Sequence, residues 1–265
     1  MYVAIENGYF ADEGLDITLV NGSGADNVMT SLISGDADIG FMGPEATVYV
    51  YNQGAQNYAV NFAQLTQRAG NFLVAREEEP DFTWQDLKGK TVLGGREGGM
   101  PEMIFEYVLT LNNIDPKNDL TIIQNVDFGL TAEAFASGTA DYTVEFEPGA
   151  TSLETGQKGY VVASLGTDSG YIPYTAFSAR KSYISEHSDT IQGFVNACKR
   201  EWTTYRHILR KRLPKSLNRN SRKQTFPQSP PSYPDIMNRI PGKKTNSLNV
   251  TVLNCFRIFW KVQAN

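Results

Sequence analysis

The sequence predicts an α/β protein built of two lobes. Its 265 residues exceed one small domain and suffice for two lobes of about 100 to 150 residues each. Helical periodicity alternates with short apolar segments typical of strands along the first 198 residues. Residues 34–38, followed by Pro44, have a counterpart in residues 137–141, followed by Pro148. Such a repeat predicts a duplicated arrangement with a ligand cleft between strand ends and helix starts. The alternative is that the match arises by chance or from turn sequences common to all α/β proteins.

Periodicity, glycine and proline define the elements of the first lobe. Residues 15–20, Leu-Asp-Ile-Thr-Leu-Val, alternate apolar and polar side chains as a half-buried strand does. Gly35 is expected to end the helix that precedes it. The predicted elements are a helix over 4–10, a strand over 15–20, a helix over 27–33, a strand over 37–41, a helix over 47–52, and strands over 59–65 and 71–76.

The polar run at residues 77–81, Glu-Glu-Glu-Pro-Asp, begins the best candidate for a boundary between the lobes. We therefore predict a first part of lobe 1 at residues 1–76, lobe 2 at 77–173, and a strand and helix that return to lobe 1 at 174–198. The predicted elements after the boundary are strands over 91–94, 120–126, 142–146, 160–165 and 174–180 and helices over 101–111, 130–135 and 188–197.

Charge is distributed unevenly along the chain. Residues 1–198 carry 9 Lys+Arg and 27 Asp+Glu, a net charge of −18, whereas residues 199–265 carry 15 Lys+Arg and 2 Asp+Glu, a net charge of +13. The proline-rich segment 199–265 is predicted to be a poorly ordered basic tail. A tail that contacts nucleic acid or anionic lipid and a frameshift product are the other two interpretations.

Composition excludes several classes of protein. The net charge of −5 disfavours a nucleic-acid binder, and no apolar run approaches the roughly 18 to 20 residues of a membrane helix. No export signal is visible at Met1. Cys198 and Cys255 cannot build a disulfide framework, and His187 and His207 offer few zinc ligands. We expect neither a metal nor a cofactor.

A glycine-rich loop is the first candidate for ligand binding. Residues 94–102, Gly-Gly-Arg-Glu-Gly-Gly-Met-Pro-Glu, lead from a strand into a helix, so free backbone N–H groups there can hold an anion or a polar ligand edge. The loop lacks the spacing of nucleotide-binding motifs, and a plain tight turn is the alternative. The candidate residues in this loop are Arg96, Gly98, Gly99 and Met100.

Two glutamates stand beside prolines that open helices. If Glu45 and Glu147 both face the cleft, they suit amino or ring N–H donors or a cationic group. The alternative is that each glutamate merely interacts with its helix dipole. A pair of carboxylates could also do acid–base work, although nothing in the spacing requires it. The candidate residues of these two segments are Gly43, Pro44, Glu45, Phe146 and Glu147.

Polar and aromatic residues at other strand ends complete the predicted site. Thr66 and Gln67 end a strand with side chains that can orient a ligand. Arg68 and Arg96 would hold a sulfonate, nitrate or carboxylate, a preference opposite to that of the glutamates. Tyr174 could stack on a planar ring, unless it belongs to the core. No nucleophile elbow or Cys–His pair is present, so the sequence predicts a binding protein and not an enzyme.

Three segments resemble a known family. Residues 1–16, residues 32–40 (Leu-Ile-Ser-Gly-Asp-Ala-Asp-Ile-Gly) and residues 86–92 (Asp-Leu-Lys-Gly-Lys-Thr-Val) resemble solute-binding proteins of ABC importers for nitrate, sulfonates, taurine and thiamine-pyrimidine precursors. The resemblance extends from Met1 to about Ala197. It implies a type II periplasmic-binding-protein fold that closes on its ligand like a hinge, with a cleft lined by the loops chosen above.

Two departures from the family pattern bear on this resemblance. In the family, an export signal and a first strand with a ligand-contacting loop precede the segment that matches Met1, and acidic helices follow Ala197. We therefore expect an N-terminally truncated chain with a frameshifted end.

The resemblance implies an extracytoplasmic, monomeric solute-binding component that delivers a small solute to an ABC permease, periplasmic or anchored to the cell surface as a lipoprotein. With two glutamates among the candidate residues, a neutral or cationic nitrogenous ring, such as a thiamine-pyrimidine precursor, is favoured over a sulfonate. A pyrimidine-precursor synthase of the same fold and a non-functional gene fragment are the alternatives. Such a synthase uses a histidine donor and a cysteine-rich iron motif, whereas residues 1–197 contain no cysteine and only His187.

Overall fold

The structure, a computed structural model, describes residues 1–127 and 129–212, with side chains as far as Thr204. Ten helices are described: α1 (Tyr2–Glu6), α2 (Tyr9–Asp12), α3 (Ala25–Ser34), α4 (Glu45–Asn52), α5 (Met100–Leu111), α6 (Thr131–Ala136), α7 (Gly149–Thr155), α8 (Leu165–Asp168), α9 (Lys181–Glu186) and α10 (Ser188–Arg212). Eight strands are described: β1 (Ile39–Met42), β2 (Ala59–Thr66), β3 (Asn71–Ala75), β4 (Thr91–Leu93), β5 (Thr121–Ile123), β6 (Tyr142–Phe146), β7 (Tyr160–Ser164) and β8 (Thr175–Arg180).

The described strands form two sheets. The first sheet has the order β1-β8-β2, and both of its pairings are antiparallel. The second sheet has the order β5-β4-β6-β3-β7, with β4 parallel to both β5 and β6. Strand β3 lies antiparallel between β6 and β7. Each sheet with its helices forms one lobe, which confirms the predicted α/β class.

Separate apolar clusters stabilise the two lobes. In the first lobe, β2, β8 and α10 contribute to an aromatic cluster that includes Phe62, Phe177 and Phe194. In the second lobe, α5 packs Phe105 and Val108 on one face of the five-stranded sheet. The opposite face of that sheet is covered by a cluster formed by Phe72, Val74, Leu93, Phe135, Ala140, Ala150 and Leu153.

The internal repeat of the sequence corresponds to a repeated helix–strand–helix unit. Helix α3 ends at Gly35, whose φ of 96° is left-handed, and β1 and α4 follow. Helix α6 is followed by Gly138, with a φ of 102°, and then by β6 and α7. Pro44 and Pro148 occupy the N-cap positions of α4 and α7. The repeat therefore places a helix start beside a strand end once in each lobe.

The predicted strand over residues 15–20 is wrong. These residues have no regular secondary structure and pair with no strand in the described part of the chain. Leu15 and Ile17 pack against the cluster that contains Phe177 and Phe194. Leu19 and Val20 are exposed, so the alternation matches the burial only over residues 15–18. A ladder also requires a neighbouring backbone with free N–H and C=O groups.

Two predicted boundaries also differ from the structure. Strand β3 was assigned to the first lobe, at residues 1–76, but it pairs with β6 and β7 in the second sheet. The chain therefore enters the second lobe before the polar run at 77–81. Helix α10 continues through Cys198 and Lys199 to Arg212, so the change of composition is not the end of the helix. The rest of the predicted tail, residues 213–265, lies outside the described residues.

No helix within residues 1–127 and 129–212 is both long and apolar enough to cross a membrane.

Candidate functional site

Two crossing segments connect the lobes in the described chain, and three of the predicted site residues, Thr66, Gln67 and Tyr174, lie in them or at their ends. One segment leads from β2 to β3, and the other leads from α8 to β8. Backbone hydrogen bonds join the crossings: the Ile172 N–H donates to the Gln67 carbonyl at 2.9 Å, and the Tyr174 N–H donates to the Thr66 carbonyl at 3.1 Å. The Thr66 and Thr175 hydroxyls also lie 2.6 Å apart. The junction is thus a paired, two-stranded connection.

Glu45 is a buried carboxylate between the lobes. It is the first residue of α4 and only 8% of its side chain is exposed. Its Oε1 accepts the backbone N–H of Met100, the first residue of α5, at 3.2 Å. Its Oε2 is buried and has no hydrogen-bond partner among the described residues. Burial raises the pKa of Glu45, opposed by backbone hydrogen bonds and by the charge of Arg96.

Gly43 and Pro44 position this carboxylate. Pro44 is the N-cap residue of α4, which places Glu45 at the positive end of the helix. A Cβ atom at Gly43 would overlap the Glu45 carboxylate, so the absence of a side chain there allows Glu45 to fold back against the backbone. The sequence predicted this turn as part of the site, and the structure brings it against the start of α5.

Tyr174 and Phe146 form an aromatic wall of the junction. Their ring centroids lie 6.3 Å apart at an interplanar angle of 48°. Tyr174 is 5% exposed, and its hydroxyl has no partner within the described part of the protein. Burial, and secondarily the negative charge of Glu45, raise the pKa of Tyr174. That charge effect places the hydroxyl and the carboxylate within electrostatic reach of each other.

Asn71 is a site residue that the sequence analysis missed. It opens β3 opposite Phe146 and is fully buried, yet neither its Nδ2 nor its Oδ1 meets a partner in the described structure. The Nε2 of Gln67, which is 6% exposed, is likewise unsatisfied by any described residue. The sequence does contain a signal for Asn71, because this amide directly precedes the apolar residues Phe-Leu-Val-Ala of a predicted buried strand. An unpaired amide is costly at a buried strand position, so its presence there indicates a functional role.

The donors of the glycine-rich loop are engaged by side chains of the protein itself. The Gly98 N–H donates to Glu102 Oε2 at 3.2 Å, while the Met100 N–H donates to Glu45. Arg96, proposed from the sequence as an anion ligand, forms an ion pair with Asp26 of α3 and so links the two lobes. Gly99 is the N-cap residue of α5, and the Gly98 carbonyl accepts the Tyr49 hydroxyl at 3.1 Å.

The two predicted glutamates have different environments. The Glu147 carboxylate accepts the N–H of Thr151 in the first turn of α7 at 3.1 Å, which is the helix-start role considered from the sequence. The structure records no hydrogen bond or ion pair between Glu147 and the other predicted site residues within the described chain. Glu145, which was not predicted, is 4% exposed and accepts the Thr143 hydroxyl at 2.7 Å. Of the predicted pair, Glu45 is therefore the one whose recorded hydrogen bond reaches the other lobe, within the described residues.

A cavity of about 640 Å³ lies beside the glycine-rich loop, on the second lobe. Its lining includes Glu97, Glu102, Glu106 and Lys117. Glu102 accepts the Gln124 amide at 2.7 Å in addition to the Gly98 N–H. Burial, followed by the hydrogen bond and the charge of Glu106, raises the pKa of Glu102 to about 7.

No group of three or more His, Cys, Asp and Glu side chains within the described chain could hold a metal ion.

The raised pKa of Glu102 predicts a pH-dependent stability. The unfolded carboxyl has the lower pKa, so the contribution of Glu102 to stability is greatest below about pH 4.5 and is lost as the pH rises through about 7. Replacing Glu102 by Gln should remove this loss and stabilise the protein at pH 8 by about 1 to 3 kcal/mol. Urea unfolding at pH 5 and pH 8 measures the effect, with the exposed Glu97→Gln as a control for a surface charge. An equal gain at both pH values would contradict this origin.

Comparisons with known proteins agree with this architecture. The family model described as NMT1/THI5 like matches residues 1–206. A Bacillus subtilis (strain 168) protein named as a binding protein, YtlA, is 50% identical over 197 residues, which are 74% of this chain and 59% of that protein. The chain thus spans less than two thirds of the length of this relative. The name given to YtlA is that of a binding protein and not of an enzyme.

Solved structures show the same fold. The periplasmic aliphatic sulphonate binding protein SsuA of Escherichia coli matches with a TM-score of 0.66 at 16% identity, over 99% of this chain and 89% of that chain. The periplasmic nitrate-binding protein NrtA of Synechocystis PCC 6803 matches with a TM-score of 0.62 at 15% identity, over 76% and 57% of the two chains. At these identities the likeness concerns the fold, which is that of periplasmic binding proteins.

Proposed function

The chain belongs to the NMT1/THI5-like family, and from this premise we propose that it is the solute-binding component of an ABC importer. It binds one small nitrogen- or sulfur-containing solute, of the thiamine-pyrimidine, sulfonate or nitrate class, between its two lobes. It acts outside the cytoplasm as a monomer and delivers the solute to a membrane permease. The names of the relatives and the fold support this role.

One observation supports the site above all others: buried polar atoms without partners gather at the lobe junction. Within the described residues, every such side chain lies at the start of α4, in the crossing segments or at the strand ends next to them. These residues are Glu45, Gln67, Arg68, Asn71, Ser164, Ser169 and Tyr174. Each unsatisfied buried group costs about 1 to 3 kcal/mol, and a ligand that pairs with several of them recovers that free energy. The junction is therefore a binding site held ready for polar groups.

The alternative of a pyrimidine-forming enzyme has less support. Such an enzyme uses a histidine donor, and His187 packs its ring against Tyr183, 4.5 Å away, at the start of α10. The predicted site residues belong to other elements. A binding role requires no reactive group, which agrees with a site composed of amide, hydroxyl, carboxylate and guanidinium groups.

Removing the Tyr174 hydroxyl tests this site. We expect Tyr174→Phe to bind a solute identified by thermal-shift screening about 3- to 10-fold more weakly, because one hydrogen bond contributes about 0.5 to 1.5 kcal/mol. Titration calorimetry measures the affinity. Tyr51→Phe, the same change at an exposed position of α4, is the control and should bind as the wild type does. Equal affinities for all three proteins would place the ligand elsewhere.

A further inference from the structure

We propose that the solute is an organic cation, such as an ammonium, amidinium or guanidinium compound, and that the cleft rejects sulfonate and nitrate anions. This inference rests on the proposed function, because it specifies the ligand of that same site. It is carried by the free oxygen of Glu45, the aromatic wall of the same junction, and the carboxylate partners of the glycine-rich loop and of Arg96.

The N–H groups of the glycine-rich loop that would hold an anion already have acidic partners. Anion binding at the glycine-rich loop requires free N–H groups at the start of α5. Two of these groups donate to carboxylates instead, the Gly98 N–H to Glu102 and the Met100 N–H to Glu45. An anion entering here would have to displace a buried carboxylate and would then face its charge.

Of the two arginines near the cleft, Arg96 is paired with an acid, whereas Arg68 makes local contacts and keeps an Nε that is unpaired within the described chain. Arg96 forms its ion pair with Asp26 across the lobes. Arg68 donates to the Gly166 carbonyl at 2.7 Å, and its guanidinium lies 4.2 Å from the ring centre of Tyr171. Arg96 is the cation whose positive charge acts on Glu45. Because Arg96 is also paired with Asp26, its charge is partly neutralised by that carboxylate. The balance at Glu45 therefore favours a positive partner.

The free oxygen of Glu45 and the aromatic wall together match an organic cation. Oε2 of Glu45 is buried and has no partner among the described residues. A carboxylate oxygen can accept hydrogen bonds from more than one N–H donor, so this atom can bind a group that carries several N–H bonds. The rings of Tyr174 and Phe146 supply aromatic faces at the same lobe junction, and such faces attract desolvated cations. The unsatisfied amides of Asn71 and Gln67 add polar contacts for the remainder of the ligand.

Three probes that share a phenyl ring and differ in charge test the charge preference of the site. Benzamidine is cationic at neutral pH, benzamide is neutral and benzenesulfonate is anionic, and all three carry one phenyl ring. We expect the wild-type chain to bind benzamidine at least 10-fold more tightly than benzamide and to bind benzenesulfonate most weakly of the three. Titration calorimetry at pH 7.5 measures the three affinities.

Two variants assign the preference to Glu45. Glu45→Gln keeps the shape and the acceptor for the Met100 N–H but removes the charge, so the preference for benzamidine over benzamide should fall below 2-fold. Glu147→Gln, the matched change at the corresponding helix start of the other lobe, should keep the wild-type preference. An unchanged preference in Glu45→Gln would overturn the assignment.

The outcomes distinguish the charge of the ligand from the function of the site. If benzenesulfonate binds more tightly than benzamidine, and Tyr174→Phe weakens it, the cation proposal is wrong while the binding site stands. If no probe binds, or if Tyr174→Phe and Glu45→Gln leave every affinity unchanged, the proposed function fails and the cation proposal fails with it.

Discussion

Replacing Asn71 by leucine is expected to make the ligand-free protein more stable and to weaken solute binding by at least 100-fold. The Asn71 side chain is fully buried at the start of β3, and both of its polar atoms lack partners in the described chain. Leucine has nearly the same shape and no polar atom. It therefore removes the cost of the unpaired amide, about 1 to 3 kcal/mol.

The same substitution removes a donor and an acceptor from the binding site. In the variant, the polar group of the ligand that binds Asn71 would be buried without a partner. The affinity falls strongly because the cost of removing that group from water is not offset by a hydrogen bond. Urea unfolding without ligand and calorimetric titration with a solute found by screening measure the two effects. Opposite signs for stability and binding are the signature of a site kept for function.

Asn61 provides the matched control. Its Nδ2 donates to the Thr47 hydroxyl at 2.9 Å and its Oδ1 accepts the Ser178 hydroxyl at 2.6 Å. Asn61→Leu leaves these hydroxyl groups without their amide partner and should destabilise the protein by about 1 to 3 kcal/mol. If Asn71→Leu destabilises the protein in the same way, its amide is satisfied in solution and is not held ready for a ligand.

The sequence predicted local structure well, because periodicity and helix stops are local properties. Gly35 ends α3 as expected, and the Gly-Pro-Glu turn at 43–45 begins α4. Residues 15–20 show the limit of this reasoning. Their alternation matches the partial burial of Leu15 and Ile17 but not the exposure of Leu19, and strand pairing depends on a neighbour that the pattern does not contain.

The composition of the site depended on long-range partners that no local pattern reveals. Arg96 suggested an anion site until the structure placed Asp26, which is 70 positions earlier in the chain, beside it. Glu45 and Glu147 look equivalent in the sequence, but one meets Met100 of the other lobe and the other meets Thr151 of its own helix. Predicting which charges remain available therefore required the tertiary fold.

Truncating Phe194 to alanine is expected to destabilise the first lobe by about 3 to 5 kcal/mol while leaving the second lobe intact. Phe194 is 3% exposed and lies on α10 at the centre of an aromatic cluster. Its ring centroid is 5.0 Å from that of Phe177, 5.3 Å from Phe10 and 6.1 Å from Phe62. Alanine leaves a cavity where α10 covers the sheet of β1, β8 and β2.

The effect should remain local because the lobes have separate apolar clusters and are linked by two crossings in the described chain. Hydrogen exchange followed by mass spectrometry should show faster exchange in β1, β2 and β8 and unchanged exchange in β3 and β6. Phe105→Ala, an equally buried phenylalanine in the second lobe, should give the reverse pattern. Uniformly faster exchange in either variant would mean that the two lobes unfold as one unit. Closure of the lobes on a ligand would then require a hinge more flexible than the backbone that pairs Thr66 with Tyr174.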